Sequence, residues 1–264
     1  MAPSSWILVV GSWLAIFACF TDSRAQDDVA DITSQDLRAG KDEAKRYFLI
    51  DPPKGKTAPK TGYGLLLVLP GGAGDARFLP FVKRINKYAV PERFLVAQLV
   101  APKWTDQSQV VWPTAKSPVA GIKFSTEEFV DTVIDDVTSG HHIDPELIFT
   151  LSWSSGGPAA YAVSLTSRKV TGSFIAMSVF KPDLLPPLER AEGRGYFLYH
   201  SREDRVCPFR MAEQASNELA KNKAKVKLVT YEGGHGWKPG LYDEIKDGIR
   251  WLETHHAAPP VARQ

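Results

Sequence analysis

The chain has 264 residues, 44% of them hydrophobic and 23% charged, with a formal net charge of +2. This is the composition of a globular protein with enough residues for one sizeable α/β domain or two small ones. The near-neutral balance, without a basic tract that alternates with aromatic residues, argues against a nucleic-acid partner. The two cysteines, Cys19 and Cys207, provide neither a disulfide framework nor the ligand spacing of a zinc site.

The first 25 residues have the pattern of a secretory signal peptide. The uncharged run from Trp6 to Phe20 has the length of a signal core and is short for a membrane span. Ser23 and Ala25 then provide the small residues of a cleavage site. The sequence therefore predicts export. The competing interpretations are an uncleaved membrane anchor and a lipoprotein signal ending at Cys19.

The rest of the chain is expected to form one α/β domain. Residues 46–256 contain the alternating apolar segments, and no change of composition marks a second domain. The preceding polar segment, 26–45, is predicted to be a short lead-in helix or an ordered arm. The Pro/Ala-rich tail, 257–264, is predicted to be frayed.

Continuous apolar runs predict strands, and apolar residues at helical spacing predict helices. The predicted strands are 46–50, 63–69, 94–100, 147–151, 170–178, 196–199 and 226–231. The predicted helices are 78–90, 126–138, a helix beginning near 158, 209–221 and 241–255. This alternation predicts a mostly parallel sheet with helices on both faces, in which chemistry collects at the carboxyl ends of the strands.

The connections between these elements carry further expectations. The Lys/Gly/Pro-rich segment 54–62 indicates a hairpin turn between the first two strands. The irregular segment 103–125 has the length of a functional loop, with surface packing as the alternative. Ser125 or Thr126 is expected to cap the helix that follows it. Segment 180–195 is too short for a large lid, so a preference for long lipid chains is not expected.

One strand runs through small residues into a helix, with Ser154 at the turn between them. A nucleophilic serine at so sharp a turn has strained backbone angles and needs small residues two positions before and two positions after it. Ser152 and Gly156 occupy those positions around Ser154. Ser155 fits less well as the nucleophile, because Trp153 would then stand where a small residue is needed. A strand that merely ends in serine and glycine is the alternative interpretation.

Another strand end carries Gly71-Gly72-Ala73-Gly74. Backbone N–H groups on a glycine turn can bind an oxyanion. Gly72 or the neighbouring Ala73 would supply one donor, and Ser155, directly after Ser154, would supply the other. The segment is not a phosphate loop, because it lacks the G-x-G-x-x-G spacing and no Lys-Ser or Lys-Thr pair follows it. A plain turn is the alternative.

Polar clusters also follow the last two strands. The first contains Glu203 and Asp204, and either carboxylate can orient an imidazole. The second places His235 between glycines on a loop, where a histidine has no packing role, and His235 is therefore the best candidate for a general base. No metal site is expected from the two histidine pairs, which stand at helix ends without ligand spacing: His141-His142 and His255-His256.

An oxyanion loop, Ser154, a carboxylate and His235 follow one another at strand ends, which is the order found in α/β-hydrolases. Over roughly residues 46–255 the chain resembles the predicted-esterase group, near the phospholipase/carboxylesterase, polyhydroxybutyrate-depolymerase-like and dienelactone-hydrolase-like families. The stretch His200 to Pro208 is similar to the family's His-Gly-x-x-Asp-x-x-Val-Pro. That match selects Asp204 as the acid. The loop Gly233 to Trp237 is similar to the family's histidine loop.

Two positions depart from the family pattern. Pro70 stands where the family usually has a histidine before the glycines, and Ser152 replaces the first glycine of the nucleophile turn. Neither change removes a catalytic group. They leave the subfamily open.

The resemblance implies an α/β-hydrolase fold with a minimal lid or none, and an exported serine esterase that uses no metal or organic cofactor. Short-chain esters, or esters linked to a sugar or an aromatic group, on a small molecule or a polymer, are the expected substrates, and no stable membrane partner is expected. Trp104, Trp112 and Trp237 are candidates to line the substrate cleft, with packing as their alternative role.

Two other functions stay open. Peptidases of the prolyl-oligopeptidase type use the same triad, although this chain has no propeller domain. A binding protein built on an inert hydrolase scaffold belongs to a different class, and the intact set Ser154, Asp204 and His235 argues against it. A fluorophosphonate probe distinguishes an inert scaffold from both enzymes, because only an activated serine is labelled.

Overall fold

The computed structural model describes residues 28–51, 58–105 and 110–256. The predicted signal peptide and the predicted tail lie outside these residues, as does part of the predicted turn at 54–62. Within the described part of the chain, no helix is long and apolar enough to cross a bilayer.

The described residues form one eight-stranded sheet with the spatial order β1-β2-β4-β3-β5-β6-β7-β8. The strands are β1 (Ser34–Arg38), β2 (Arg46–Ile50), β3 (Tyr63–Leu69), β4 (Phe94–Leu99), β5 (Ile143–Trp153), β6 (Gly172–Ala176), β7 (Gly195–Ser201) and β8 (Lys225–Tyr231). From β4 to β8 all neighbours are parallel, whereas β1 and β2 are antiparallel additions at one edge. The predicted mostly parallel sheet is confirmed.

Helices cover both faces of this sheet. They are α1 (Leu79–Tyr88), α2 (Thr126–Gly140), α3 (Gly157–Thr166), α4 (Arg210–Lys221) and α5 (Leu241–His255). Alternate residues of β3 enter different cores: Leu65 packs with α2 and α3, whereas Leu66 packs with α1 and α5. All seven residues of β3 are buried, as expected for a central parallel strand that is covered on both sides.

The hairpin predicted between β2 and β3 is wrong. β4 lies between these two strands and pairs with β2 on one side and β3 on the other. The apolar run of β4 gains more burial in the sheet interior than an edge position would give it. The turn-rich connection was therefore a correct sign of a reversal but not of local pairing.

The lead-in segment, for which a short helix or an ordered arm is predicted, contains β1 and a 3-10 turn at Ala39–Lys41. β1 is a polar edge strand, and Asp36 on it accepts hydrogen bonds from Arg46 on β2 and from Arg38. Charged side chains are typical of edge strands, because they discourage pairing with another chain. At α2, Ser125 is the N-cap: its hydroxyl accepts a hydrogen bond from the N–H of Glu128.

Candidate active site

The turn between β5 and α3 places Ser154 at the carboxyl end of a central strand. β5 ends at Trp153, a short 3-10 turn covers Ser154–Gly156, and α3 begins at Gly157. Ser154 has a φ of +50°, a region that residues other than glycine rarely adopt. Such strain at the tip of a strand–turn–helix unit exposes the serine hydroxyl, as a nucleophile requires.

Small residues permit this sharp turn. A Cβ on Gly156 would lie 2.2 Å from the carbonyl oxygen of Leu69, so no larger residue fits there. Ser152, on the other side of Ser154, is fully buried, and its hydroxyl has no hydrogen-bond partner among the described residues. The serine therefore fits in the place of the usual glycine, but it buries an unpaired polar atom.

His235 lies directly opposite this turn. Its Nε2 is 3.1 Å from the Oγ of Ser154, which is hydrogen-bond distance. The loop that carries it is shaped by Gly233, Gly234 and Gly236, all with positive φ. The Oγ of Ser201, at the end of β7, accepts a hydrogen bond from the N–H of Gly234 and holds the loop against the sheet.

Asp204 completes the chain of hydrogen bonds. Its Oδ2 accepts from Nδ1 of His235 at 2.8 Å, and its side chain is completely buried. Its Oδ1 accepts from the N–H groups of Val206 and Cys207, each at 2.8 Å. With both oxygens occupied, the carboxylate has one orientation and fixes His235 with Nδ1 protonated and Nε2 free to accept the serine proton.

Glu203, the other carboxylate considered from the sequence, has a different position. Its Oε2 accepts from the N–H of Gly233 at 2.9 Å, and it therefore supports the histidine loop from outside. Of the two carboxylates, Asp204 is the one whose oxygen contacts the imidazole.

A second histidine lies behind Asp204. His200 is buried, its Nε2 is 2.7 Å from the carbonyl oxygen of Cys207, and the same nitrogen is 3.4 Å from Oδ2 of Asp204. Burial lowers the pKa of His200, outweighing the opposing effects of the Cys207 carbonyl and the Asp204 carboxylate. A neutral His200 that donates from Nε2 adds a further donor beside the buried carboxylate.

The oxyanion loop contacts the nucleophile turn directly. The hydroxyl of Ser155 donates to the carbonyl oxygen of Gly72 at 2.9 Å. Gly72 has a φ of +57°, and a Cβ on the preceding Gly71 would lie 2.5 Å from the Trp153 ring. The structure thus brings Gly72 and Ser155, the two predicted oxyanion donors, next to each other. Ala73, the predicted alternative to Gly72, lines a neighbouring pocket with Trp104.

The three predicted tryptophans have separate environments. Trp112 is buried and donates from Nε1 to the carbonyl oxygen of Pro70, so it supports the oxyanion loop. Trp104 packs edge-on against Phe124. Trp237 packs against Trp153 and Tyr199, among the residues that cover the α1/α5 face.

A pocket beside Ser155 was not foreseen in the sequence. Its residues come from three segments, 110–117, 155–161 and 179–185. Trp112 lines it, but so do Tyr161 and Lys181, which carry no signal in the sequence. Tyr161 follows the helical pattern of α3, and a single lysine on a connecting segment is ordinary, so only the folded arrangement identifies them.

Asp204, Cys207 and His235 also place three potential metal-binding atoms within 4.8 Å of one another. Burial raises the pKa of the Cys207 thiol to about 12, so the thiol keeps its proton at neutral pH. A metal needs the thiolate, and it would compete with the hydrogen bonds that already occupy both oxygens of Asp204. The arrangement favours acid–base chemistry over metal binding.

Comparison of the sequence with known proteins gave one family match. The phospholipase/carboxylesterase family matches residues 91–255. No curated protein matches the chain.

Among solved structures, a fungal esterase from Rhizomucor miehei is similar with a TM-score of 0.66 and 12% identity, over 89% of this chain and 86% of that one. A truncated carbohydrate esterase from gut microbiota has a TM-score of 0.63 and 15% identity, and the match covers 84% of this chain and 96% of that one. An α/β hydrolase enzyme from a Medee basin deep-sea metagenome library has a TM-score of 0.61 and 13% identity, and the match covers 84% of this chain and 97% of that one. These likenesses establish the fold. Together with the family match, they show that the chain belongs to the phospholipase/carboxylesterase family of α/β-hydrolase esterases.

Proposed function

We propose that this protein is an exported serine hydrolase that cleaves carboxylic esters through an acyl-enzyme, with Ser154, His235 and Asp204 as its catalytic triad. The observation that carries the proposal is the continuous chain from Ser154 Oγ to His235 Nε2 at 3.1 Å and from His235 Nδ1 to Asp204 Oδ2 at 2.8 Å. A serine hydroxyl is a weak nucleophile, and this chain provides the adjacent base that it needs.

In the first half of the reaction, Ser154 Oγ attacks the ester carbonyl carbon while His235 Nε2 takes the serine proton. The buried Asp204 carboxylate stabilises the imidazolium that forms. When the tetrahedral intermediate collapses, the bond to the leaving oxygen breaks, and His235 returns the proton to the departing alcohol. The acyl group then remains on Ser154.

In the second half, water takes the place of the alcohol. His235 removes a proton from the water as it attacks the acyl carbonyl, and it gives that proton back to Ser154 when the acid leaves. Gly72 and Ser155, from the oxyanion loop and the nucleophile turn, are the proposed N–H donors to the negative oxygen in both steps. Each such donor contributes roughly 10²–10³ to kcat in comparable enzymes.

Short esters, and esters of sugars or aromatic alcohols, are the proposed substrates. The connection between β6 and β7 supports this choice, because it forms only short 3-10 turns, Pro182–Leu184 and Leu188–Ala191, and so no large lid. Export through the segment 1–25 is part of the proposal. Expression of the full chain with determination of the mature N-terminus tests it, and a mature protein that still begins at Met1 would contradict cleavage after Ala25.

The enzymatic proposal is tested by hydrolysis of p-nitrophenyl esters from acetate to palmitate, by the protein and by Ser154→Ala. We expect turnover of the short esters and its near-complete loss in the variant, with an unchanged circular dichroism spectrum. Equal turnover by the variant would overturn the role of Ser154. If no ester is cleaved, a fluorophosphonate probe decides what remains: labelling would indicate a peptidase or a narrow esterase, and no labelling would indicate an inert scaffold.

A further inference from the structure

The pocket beside the nucleophile turn has one wall on Ser155, the residue after the proposed nucleophile. Its other walls are formed by the first two turns of α3 and by the segments 110–117 and 179–185. α3 packs on the sheet face that it shares with α2 and α4. The pocket is therefore an extension of the reaction site toward that face.

The position of His235 indicates which half of an ester enters this pocket. His235 has to protonate the leaving oxygen, so the alcohol half lies toward the histidine loop. Trp237, at the end of that loop, packs with residues of the α1/α5 face. The pocket is lined by Ser155 and by α3, with no residue of the histidine loop among the described lining residues, and we therefore assign it to the acyl half.

Most of the lining is apolar, as acyl binding requires: Val111, Trp112, Pro158 and Leu185 are examples. The cavity volume is about 230 Å³. A dry protein cavity of about 150 Å³ holds benzene, so by proportion this one has room for about nine carbon atoms. A palmitoyl chain exceeds that space.

The pocket is not wholly apolar, because Tyr161 is one of its lining residues. Tyr161 is only 2% exposed, and no described residue makes a hydrogen bond to its hydroxyl. The fully buried side-chain atoms that have no hydrogen-bond partner among the described residues belong to Gln98, Trp104, Ser152 and Trp237. The hydroxyl oxygen of Tyr161 is not one of them, so it keeps a small solvent-accessible area. Tyr161 lines this pocket.

Two features indicate which chemical group of a ligand would bind at the Tyr161 hydroxyl. Burial raises the pKa of Tyr161, so the group keeps its proton and can donate. Lys181, which is exposed at the pocket, is the one charged residue among the described lining residues. A phenol donor and an ammonium donor, without an acidic neighbour in the lining, together favour a negatively charged acceptor.

We propose that this pocket binds an acyl group of up to about nine carbon atoms that ends in a carboxylate, with Tyr161 and Lys181 as the residues that recognise the far end. The natural substrate would then be a half-ester of a dicarboxylic acid. This inference rests on the proposed esterase function and specifies the acyl half of its substrate.

The test compares kcat/KM for two matched pairs: p-nitrophenyl hexanoate with the p-nitrophenyl monoester of adipic acid, and the octanoate with the suberic monoester. The ratio within each pair is the measure, because a general loss of activity lowers both members. We expect the wild-type protein to cleave the monoester at least as fast as the neutral ester. Without recognition, burial of a carboxylate in this pocket would strongly disfavour the monoester.

Tyr161→Phe should lower this ratio about ten-fold, because it removes a hydrogen bond to a charged group. Lys181→Met should lower the ratio about two- to five-fold, as expected for an exposed charge. Tyr88→Phe on α1 and Lys225→Met at the start of β8, both outside this pocket, are the matched controls and should leave the ratio unchanged. Thermal melting of each variant establishes that it is folded.

Hydrolysis of the neutral esters with a monoester rate a hundred-fold lower would overturn the carboxylate proposal and leave the esterase function intact. The same holds if the ratio is unaffected in both pocket variants. If none of the four esters is hydrolysed, the inference about the acyl group fails, and labelling of Ser154 by a fluorophosphonate probe then tests the proposed function separately.

Discussion

The hydroxyl of Ser155 donates a 2.9 Å hydrogen bond to the carbonyl oxygen of Gly72. This bond joins the nucleophile turn after β5 to the oxyanion loop after β3, two segments that are distant in sequence. The same two residues are the proposed N–H donors to the reaction's negative oxygen. The side-chain bond therefore fixes the spacing of two backbone groups that act together in the proposed mechanism.

Ser155→Ala should lower kcat for p-nitrophenyl butyrate about three- to ten-fold, because a net hydrogen bond of about 1 kcal/mol no longer holds the loop in place. Ser155→Thr, which keeps the hydroxyl, is the matched control and should retain most of kcat. Steady-state kinetics on both variants provides the measurement. An alanine variant as fast as the wild type would show that the loop keeps its position without this bond.

Asp204→Asn should lower kcat by about 10⁴, because an amide in this position either donates to His235, which selects the wrong tautomer, or faces the N–H groups of Val206 and Cys207. Glu203→Gln is the matched control in the adjacent residue. Its side-chain oxygen can still accept from Gly233, so we expect kcat within about five-fold of the wild type. The reverse order of the two effects would assign the acid to Glu203.

Ser152→Ala should raise the free energy of unfolding by about 1 kcal/mol, because it removes a buried hydroxyl that has no partner. Ser173→Ala is the matched control on the next strand. Its hydroxyl is equally buried but accepts a 2.8 Å hydrogen bond from Thr150, so its loss should destabilise the protein by a similar amount. Urea unfolding of the two variants measures both effects, and a destabilised Ser152→Ala would mean that the hydroxyl is paired in solution.

The stability of the protein should fall as the pH is lowered through the range just below 6.5, the ordinary pKa of histidine. Burial holds the pKa of His200 below that value in the folded protein, so the unfolded chain takes up the proton first. The stabilisation is complete above pH 6.5 and is lost as the pH falls toward the folded-state pKa, by at most about 1.4 kcal/mol per pH unit for one proton.

Urea unfolding at several pH values between 7 and 5 measures this slope in the wild type and in His200→Gln. The variant has no proton to take up at this position, so its stability should depend less on pH. Parallel pH profiles for the two proteins would exclude His200 as the source of the acid sensitivity.

Much of the fold followed from local patterns in the sequence. β2, β3 and α5 begin and end at the predicted residues, because an apolar run or a strict helical period defines each of them. β1 had no such signal, since a polar edge strand depends on its partner β2 rather than on its own burial. The pairing of β2 with β4 could not be predicted from a local sequence pattern either, because β3 lies between these two strands in the chain.

The residues of the site also divide into those that a local sequence pattern predicts and those that only the folded arrangement identifies. Ser154, Asp204 and His235 stand in short patterns that have a mechanical reason, and the structure brings their side chains together. The support around them could not be anticipated: Tyr161 is one more aromatic residue on an apolar helix, and the Ser155–Gly72 bond depends on two loops meeting. Trp237, which stays a candidate to line the cleft, packs against Trp153 and Tyr199, and these contacts depend on the fold rather than on its neighbours in the sequence.

The central position of β3 also affects how the protein is made. Leu65 on β3 pairs with Ile148 on β5, about 80 residues later in the chain. The middle of the sheet therefore cannot close until more than half of the chain has left the ribosome, and non-local pairing of this kind is slow. If the chain is exported through the proposed signal peptide, this delay keeps the middle of the sheet open during synthesis, which suits a polypeptide that has to cross a membrane unfolded.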